Sequence, residues 1–123
     1  MCIRDRFHLV NDLEQRGMLE NTLVLAMGEF GRTPWLNEAR GRDHYPNAWS
    51  MAMAGCGIKQ GVVFGATDEN GIDVAENPVD QRNLFATIFS ALGIDPHQEF
   101  DLPDLPTFAR VEEEAEPIKE ILL

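Results

Sequence analysis

The stretch GEFGRTPWLNEARGRDHYPN, residues 28–47, crowds acids, arginines and a histidine into one loop directly after the apolar run TLVLAMG at 22–28. Two kinds of chemistry are available to those side chains. Glu29, Asp43 and His44 offer carboxylate oxygens and an imidazole, donors that suit zinc, manganese or magnesium. Arg32, Arg40 and Arg42 offer planar forks matched to sulfate, phosphate or carboxylate. The phenol of Tyr45, next to His44, can donate to the same oxyanion. Together these residues describe a metal-plus-oxyanion site. They also satisfy a purely structural arrangement, in which Glu29 caps a turn, Asp43 pairs with Arg42 and His44 is a surface histidine, and the two arrangements look alike in sequence. A single ion held by Glu29, Asp43 and His44 requires the loop to fold back until all three lie about 2.0–2.2 Å from it.

The elements that must position this loop follow from the apolar pattern. FHLVNDLEQRGM, 7–18, spaces its apolar residues for an amphipathic helix, with Gly17 as its C-terminal stop. TLVLAMG is short and continuously apolar, the pattern of a strand buried on both faces in a sheet covered by helices. WSMAMAG, 49–55, has the same character. GVVFGATD at 61–68 and GIDVAENPV at 71–79 flank Glu69-Asn70-Gly71, a turn signal that predicts a hairpin or a β-arch. A second helix is expected over 79–92, with Leu84, Ile88 and Leu92 on one stripe facing the sheet and Gly93 at its end. The acidic, Pro-rich remainder, from about 97 to 123, reads as irregular chain draped on the surface. This order predicts an α/β fold. In open α/β sheets ligands sit outside the carboxyl ends of the strands, which is where the loop after residue 28 begins.

Composition narrows the function classes. The 123-residue chain carries a net charge of −11, much of it late, in EEEAE at 112–116. That balance opposes binding to phosphate backbones, so nucleic acid is not an expected partner. No apolar run is long enough for a membrane span. Cys2 and Cys56 make no disulfide framework, and Cys56 reads as a small buried residue. His8 and His97 have no ligand-spaced partners. Trp35 and Trp49 suit either a pocket wall or the core. Asp68, Asn70 and Gly71 imitate a calcium loop only in part, because Ala66 and Asn77 occupy ligand places, and a β-turn is expected instead. Thr33 and Ser50 are the nearest hydroxyls to the loop. The start, MCIRDR, resembles translated adapter sequence at the ends of assembled metagenomic reading frames, and no N-cap precedes Ile3, so residues 1–6 read as an artefactual start on a truncated chain; the alternative is a helix that begins there, since Ile3, Phe7, Val10 and Leu13 keep a helical period through the junction.

GEFGRTP, GRDHYPNAW, GIKQGVVFGATDENG, the helix ending in LGID and the closing EPIKEIL together resemble the carboxy-terminal part of a bacterial family, domain of unknown function 1501. Its members are sulfatase-like proteins of the alkaline phosphatase superfamily, and the resemblance runs from about Phe7 to the end. It implies the C-terminal portion of an α/β/α sandwich and a metal-dependent sulfate- or phosphate-ester hydrolase, using zinc, manganese, magnesium or calcium. It implies a periplasmic or secreted setting, since full-length members are often exported by a twin-arginine signal. It also implies two partners: the N-terminal half of the same domain and a sulfated or phosphorylated small molecule or glycan. Where relatives place an Asp-His ligand pair, this chain has Glu29 and Phe30, while the later ligand histidine corresponds to His44, preceded by Asp43. Arg32 and Arg42 then serve as oxyanion clamps. Cys56-Gly57-Ile58-Lys59-Gln60 does not match the C-x-P-S-R pattern of formylglycine sulfatases, and the family's nucleophile lies upstream of the residues present. Loss of the paired histidine at Phe30 supports a different class of function, an inactive relative that holds envelope sugars or protein partners in the same pocket.

Overall fold

The computed structural model describes residues 3–123; Met1 and Cys2, the first two residues of the suspected artefactual start, lie outside them. Helices and two-stranded ladders make up a mixed α/β chain. They divide into two units, one running up to Leu23 and adding Ala54–Val62 and Val79–Leu123, the other comprising Val24–Met53 and Val63–Pro78.

In the first unit, α1 spans Ile3–Gln15. It ends as its glycine dictates: Gly17 adopts φ +67°, and the amides of Met18 and Gly17 donate to the carbonyls of Leu13 and Glu14 at 2.8 and 3.0 Å. This pair of bonds satisfies carbonyls that the helix end would otherwise leave open. None of the residues of α1 is buried, and Phe7 is 63% exposed.

The second helix, α2, spans Gln81–Ala91, with Asp80 as its N-cap accepting from the Asn83 amide at 2.8 Å. Gly93, at φ +70°, closes it with the same pair of bonds, from Ile94 to Phe89 and from Gly93 to Ser90. The face it buries differs from the expected stripe. Leu84 is buried but Leu92 is 46% exposed, and the fully buried positions are Ala86 and Thr87. The covering element is not a sheet but the acidic tail, whose Val111 and Ala115 cluster with Ala86 and the half-buried Phe89. Small residues explain the choice, since Ala86 and Thr87 let an irregular backbone lie directly on the helix. The Thr87 hydroxyl donates to the Asn83 carbonyl at 2.6 Å and accepts from the Ile118 amide at 2.9 Å, pinning the tail. The tail is largely irregular, broken by a short ladder of β7 (Glu99–Phe100) and β8 (Phe108–Ala109) and by a 3-10 turn at Lys119–Ile121, yet it contributes core residues.

The segment at 54–62 and the chain end also pair. Ile58 bridges Leu122, and the Lys59 amide donates to Ile121 at 2.9 Å. Gly55 is required here, because a Cβ on it would lie 2.0 Å from the Thr22 carbonyl oxygen. Cys56 is half-buried rather than buried, and it follows that glycine at φ +47°.

In the second unit the two apolar runs meet, β1 (Val24–Ala26) pairing with β4 (Ala52–Ala54). All three β1 residues are only half-buried, and among the described residues this ladder stops at two strands. A strand expected to be covered on both faces is therefore covered incompletely. The hairpin expected around residue 70 is present as β5 (Ala66–Thr67) and β6 (Val74–Glu76), antiparallel and bulged. Asp68 serves its turn: its carboxylate accepts from the amides of Ile72 at 2.9 Å and Asn70 at 3.0 Å.

Two tests follow from this packing. Thr87→Val preserves the volume but strips a partner from the buried Ile118 amide, and should cost about 1–3 kcal/mol in urea unfolding, with Thr87→Ser close to the parent. Asp68 and Asp80 are held below their ordinary value of 3.8, chiefly by the amides of Ile72 and Asn83 respectively. A carboxyl whose folded pKa is depressed contributes its stability in full above the unfolded pKa and loses it as pH falls through the folded value. Stability should therefore decline on acidification below about pH 4, and Asp80→Asn, an equally good N-cap, should flatten part of that decline in pH-dependent melts.

Candidate functional site

The charged loop is a β-hairpin. β2 (Gly31–Arg32) runs antiparallel to β3 (His44–Tyr45), with Gly31 opposite Tyr45 and Arg32 opposite His44. One further rung extends it, as the Thr33 amide donates to the Asp43 carbonyl at 3.1 Å and the Asp43 amide to the Thr33 hydroxyl at 3.2 Å. Asn37 ties the tip. Its amide donates to the Gly41 carbonyl and its side-chain carbonyl accepts from the Gly41 amide, both at 2.9 Å, while Arg40 turns the chain at φ +59°. Gly31 seats the hairpin, because a Cβ there would fall 2.0 Å from the Ala48 carbonyl oxygen.

The pleat sorts the site residues, since successive side chains in extended chain point to opposite faces. Arg32 and His44 are direct partners across the ladder and share a face with Phe30, two residues before Arg32. The Phe30 and His44 rings stack with centroids 3.6 Å apart, and the Arg32 guanidinium carbon lies 5.2 Å from the Phe30 centroid. Arg32 Nη1 donates to the Arg42 carbonyl at 3.3 Å, which fixes the guanidinium while leaving most of its five donors available. Both Arg32 and His44 are exposed.

Tyr45 lies on the other face. It is buried, meets Trp35 edge to face at 5.6 Å, and its hydroxyl accepts from Asn47 Nδ2 at 3.3 Å. Its role here is to anchor the hairpin. Arg42 is also committed, its Nη1 donating to the Thr33 carbonyl at 2.5 Å. The Asp43 carboxylate accepts from Asn37 Nδ2 at 2.8 Å and so belongs to the loop tip.

Glu29, Asp43 and His44 are the residues expected to hold a metal. Adjacent residues of extended chain diverge, so Asp43 and His44 do not turn toward a common point. Among the described residues no group of three or more His, Cys, Asp or Glu is arranged to hold a metal ion.

What the structure does gather is a shallow, open depression lined by Met27, Gly28, Glu29, Phe30 and Arg32. An acid, an arginine and two apolar residues thus border it, and the His44 ring stacks on Phe30. Met27 and Phe30 are the residues that the sequence reading did not place in a site. The alternation Phe30-Gly31-Arg32 was the available signal, because it sets an aromatic ring and an arginine on one side of a strand.

The remaining candidates are scattered. His8 is exposed on α1, edge-on to Phe7. His97 Nδ1 is buried without a hydrogen-bond partner. Trp35 and Trp49 are 52% and 45% exposed, so neither is a core residue.

The seating of the hairpin is directly testable. Gly31→Ala drives a methyl group into the Ala48 carbonyl, a backbone atom that cannot swing aside, and should cost at least about 1–3 kcal/mol. Urea unfolding followed by the fluorescence of Trp35 and Trp49 should report it, and an unchanged midpoint would mean that the close approach is not required.

The chain matches no curated protein and no solved structure. A family model described as protein of unknown function (DUF1501) matches residues 7–122, nearly the whole chain and all of the hairpin and depression, and the chain therefore belongs to that family.

Proposed function

We propose that this chain is the C-terminal part of a sulfatase-like α/β/α domain and that its hairpin recognises the sulfuryl or phosphoryl group of an ester substrate. The observation that carries this reading is the pairing of Arg32 with His44 on one exposed face, beside the Glu29 depression. A guanidinium presents donors in a rigid fork that matches tetrahedral oxyanions, and an adjacent imidazole adds a donor when protonated. In this reading the segment contributes anion recognition, through Arg32 and His44. A nucleophile and any divalent ion would come from the rest of the domain. Partial coverage supports such a partner: among the described residues β1 has a single neighbouring strand, and Leu36 and Val63 are 60% and 90% exposed. Apolar surface of that kind marks a place where another part of a protein packs. The setting that accompanies this reading is the cell envelope.

A second reading has its own support. Phe30 fills the space against His44 with a ring that has no ligating atom. A relative that has given up hydrolysis and only holds a ligand would tolerate that substitution.

This chain alone, supplied with zinc, manganese, magnesium or calcium, should not hydrolyse aryl sulfates or aryl phosphates. Metal-dependent turnover that disappears in His44→Ala would overturn the division of labour between this segment and the rest of the domain. In an intact family member that does hydrolyse such esters, replacing the arginine equivalent to Arg32 by glutamine should lower kcat/KM by about ten- to a hundredfold, the loss expected for a charge-assisted hydrogen bond. An unchanged kcat/KM would remove Arg32 from the site.

A further inference from the structure

Asn70-Gly71 is the chain's one Asn-Gly pair, and it stands in the turn between β5 and β6, with Asn70 exposed. Two groups there can react with each other without a catalyst. The side-chain carbonyl carbon of Asn70 is an electrophile, and the next backbone nitrogen closes a five-membered ring on it. Glycine at 71 has no Cβ to crowd that approach. The other asparagines are placed differently. Pro78 leaves Asn77 without a following N–H, the β-branched Thr22 follows Asn21, and Asn11 and Asn83 lie in helices. The side chains of Asn37 and Asn47 are committed to Asp43 and Asp73, at 2.8 and 3.1 Å.

The folded turn works against the same step. The Gly71 amide donates to the Asp68 carbonyl at 3.1 Å, and ring closure must take that proton. The Asp68 carboxylate also accepts from the amides of Asn70, Ile72 and Asp73, at 3.0, 2.9 and 3.4 Å, so the turn opens only when several bonds break together. We propose that Asn70 is a site of spontaneous deamidation, that opening of the Asp68-tied turn sets its rate, and that conversion loosens the hairpin carrying Arg32 and His44. In the open turn the Gly71 nitrogen bonds to Asn70 Cγ and gives up its proton. The Cγ–Nδ2 bond breaks, and the side-chain nitrogen leaves with that proton as ammonia. Water then opens the succinimide at either carbonyl, giving aspartate or isoaspartate. Either product adds a carboxylate beside Asp68, Glu69 and Asp73, and isoaspartate also lengthens the backbone by one carbon. The link to the hairpin is Asn47, whose Nδ2 donates to Asp73 and to the hydroxyl of the anchoring Tyr45.

The test incubates the purified chain in mildly alkaline buffer, with and without urea, and follows residue 70 by peptide mass spectrometry. In urea, Asn70 should convert faster than any other asparagine of the chain. Without urea it should slow by the protection that hydrogen exchange measures at the Gly71 amide, to within about tenfold. Asp68→Ala should speed conversion of the folded chain at least about tenfold, as expected for losing hydrogen bonds to a charged acceptor. Asp68→Asn, which keeps one acceptor oxygen, should fall between, and Asn70→Gln should stay unconverted. The exchange measurement uses the parent chain, so it decides even where Asp68→Ala does not fold. Conversion in urea no faster at Asn70 than elsewhere would remove the site. Equal rates with and without urea, or a slowing unrelated to the Gly71 protection, would overturn the role of the turn. The converted chain, separated by anion exchange, should unfold at lower urea by Trp35 and Trp49 fluorescence, and an unchanged midpoint would overturn the link to the hairpin.

Discussion

The hairpin's organisation depends on one constraint, the two-residue period of extended chain. Pairing Arg32 with His44 and Gly31 with Tyr45 commits every neighbour to one side or the other. Phe30 must then fall on the face of Arg32 and His44. Tyr45 must fall on the face of Gly31, where it meets Trp35 and anchors the hairpin. A register shift of one residue would exchange the two sets, burying the guanidinium and exposing the phenol. Gly31 helps prevent that shift, since only a residue without a Cβ can sit against the Ala48 carbonyl. The chemistry of the exposed face is thus fixed from the buried face beneath it.

A similar economy of side-chain volume holds α2 to the tail. Ala86 and Thr87 are fully buried because they are small, and the Thr87 hydroxyl bonds to its own helix and to the Ile118 amide. The acidic tail can then lie on the helix while its carboxylates stay in solvent. Glu112 illustrates this, bonding to Arg82 at 3.0 Å while the adjacent Val111 is buried. That ion pair is solvent-exposed and contributes little on its own. The buried hydroxyl and the small-residue contact do more to hold the segment.

Local signals in the sequence were legible where a single residue type decides the backbone. Gly17 and Gly93 end helices through the same two bonds, Asp80 caps α2, and the Glu69-Asn70-Gly71 turn joins two strands. Mixed α/β character followed from those elements. What the sequence did not disclose was which surface met which. Leu84, Ile88 and Leu92 have the spacing of a buried stripe, but spacing cannot say that a tail with Val111 and Ala115 will choose Ala86 and Thr87 instead. The site was legible to the same degree. Arg32, His44 and Glu29 were recognisable by type, whereas the separation of Asp43 and Tyr45 from His44 depends on the strand beginning at His44, which composition alone does not specify.

Charge shows why the site must be read locally. The chain as a whole carries −11, which by itself argues against holding an anion. Four of its 21 acidic residues lie in the tail segment at 112–116, which belongs to the unit without the hairpin. Within the hairpin, Asp43 is engaged by Asn37 and the Arg42 guanidinium by the Thr33 carbonyl, so Arg32 is left to face the depression. Local placement, and not the net charge of the chain, therefore sets which charges stand at the hairpin's exposed face, where register puts Arg32 opposite His44.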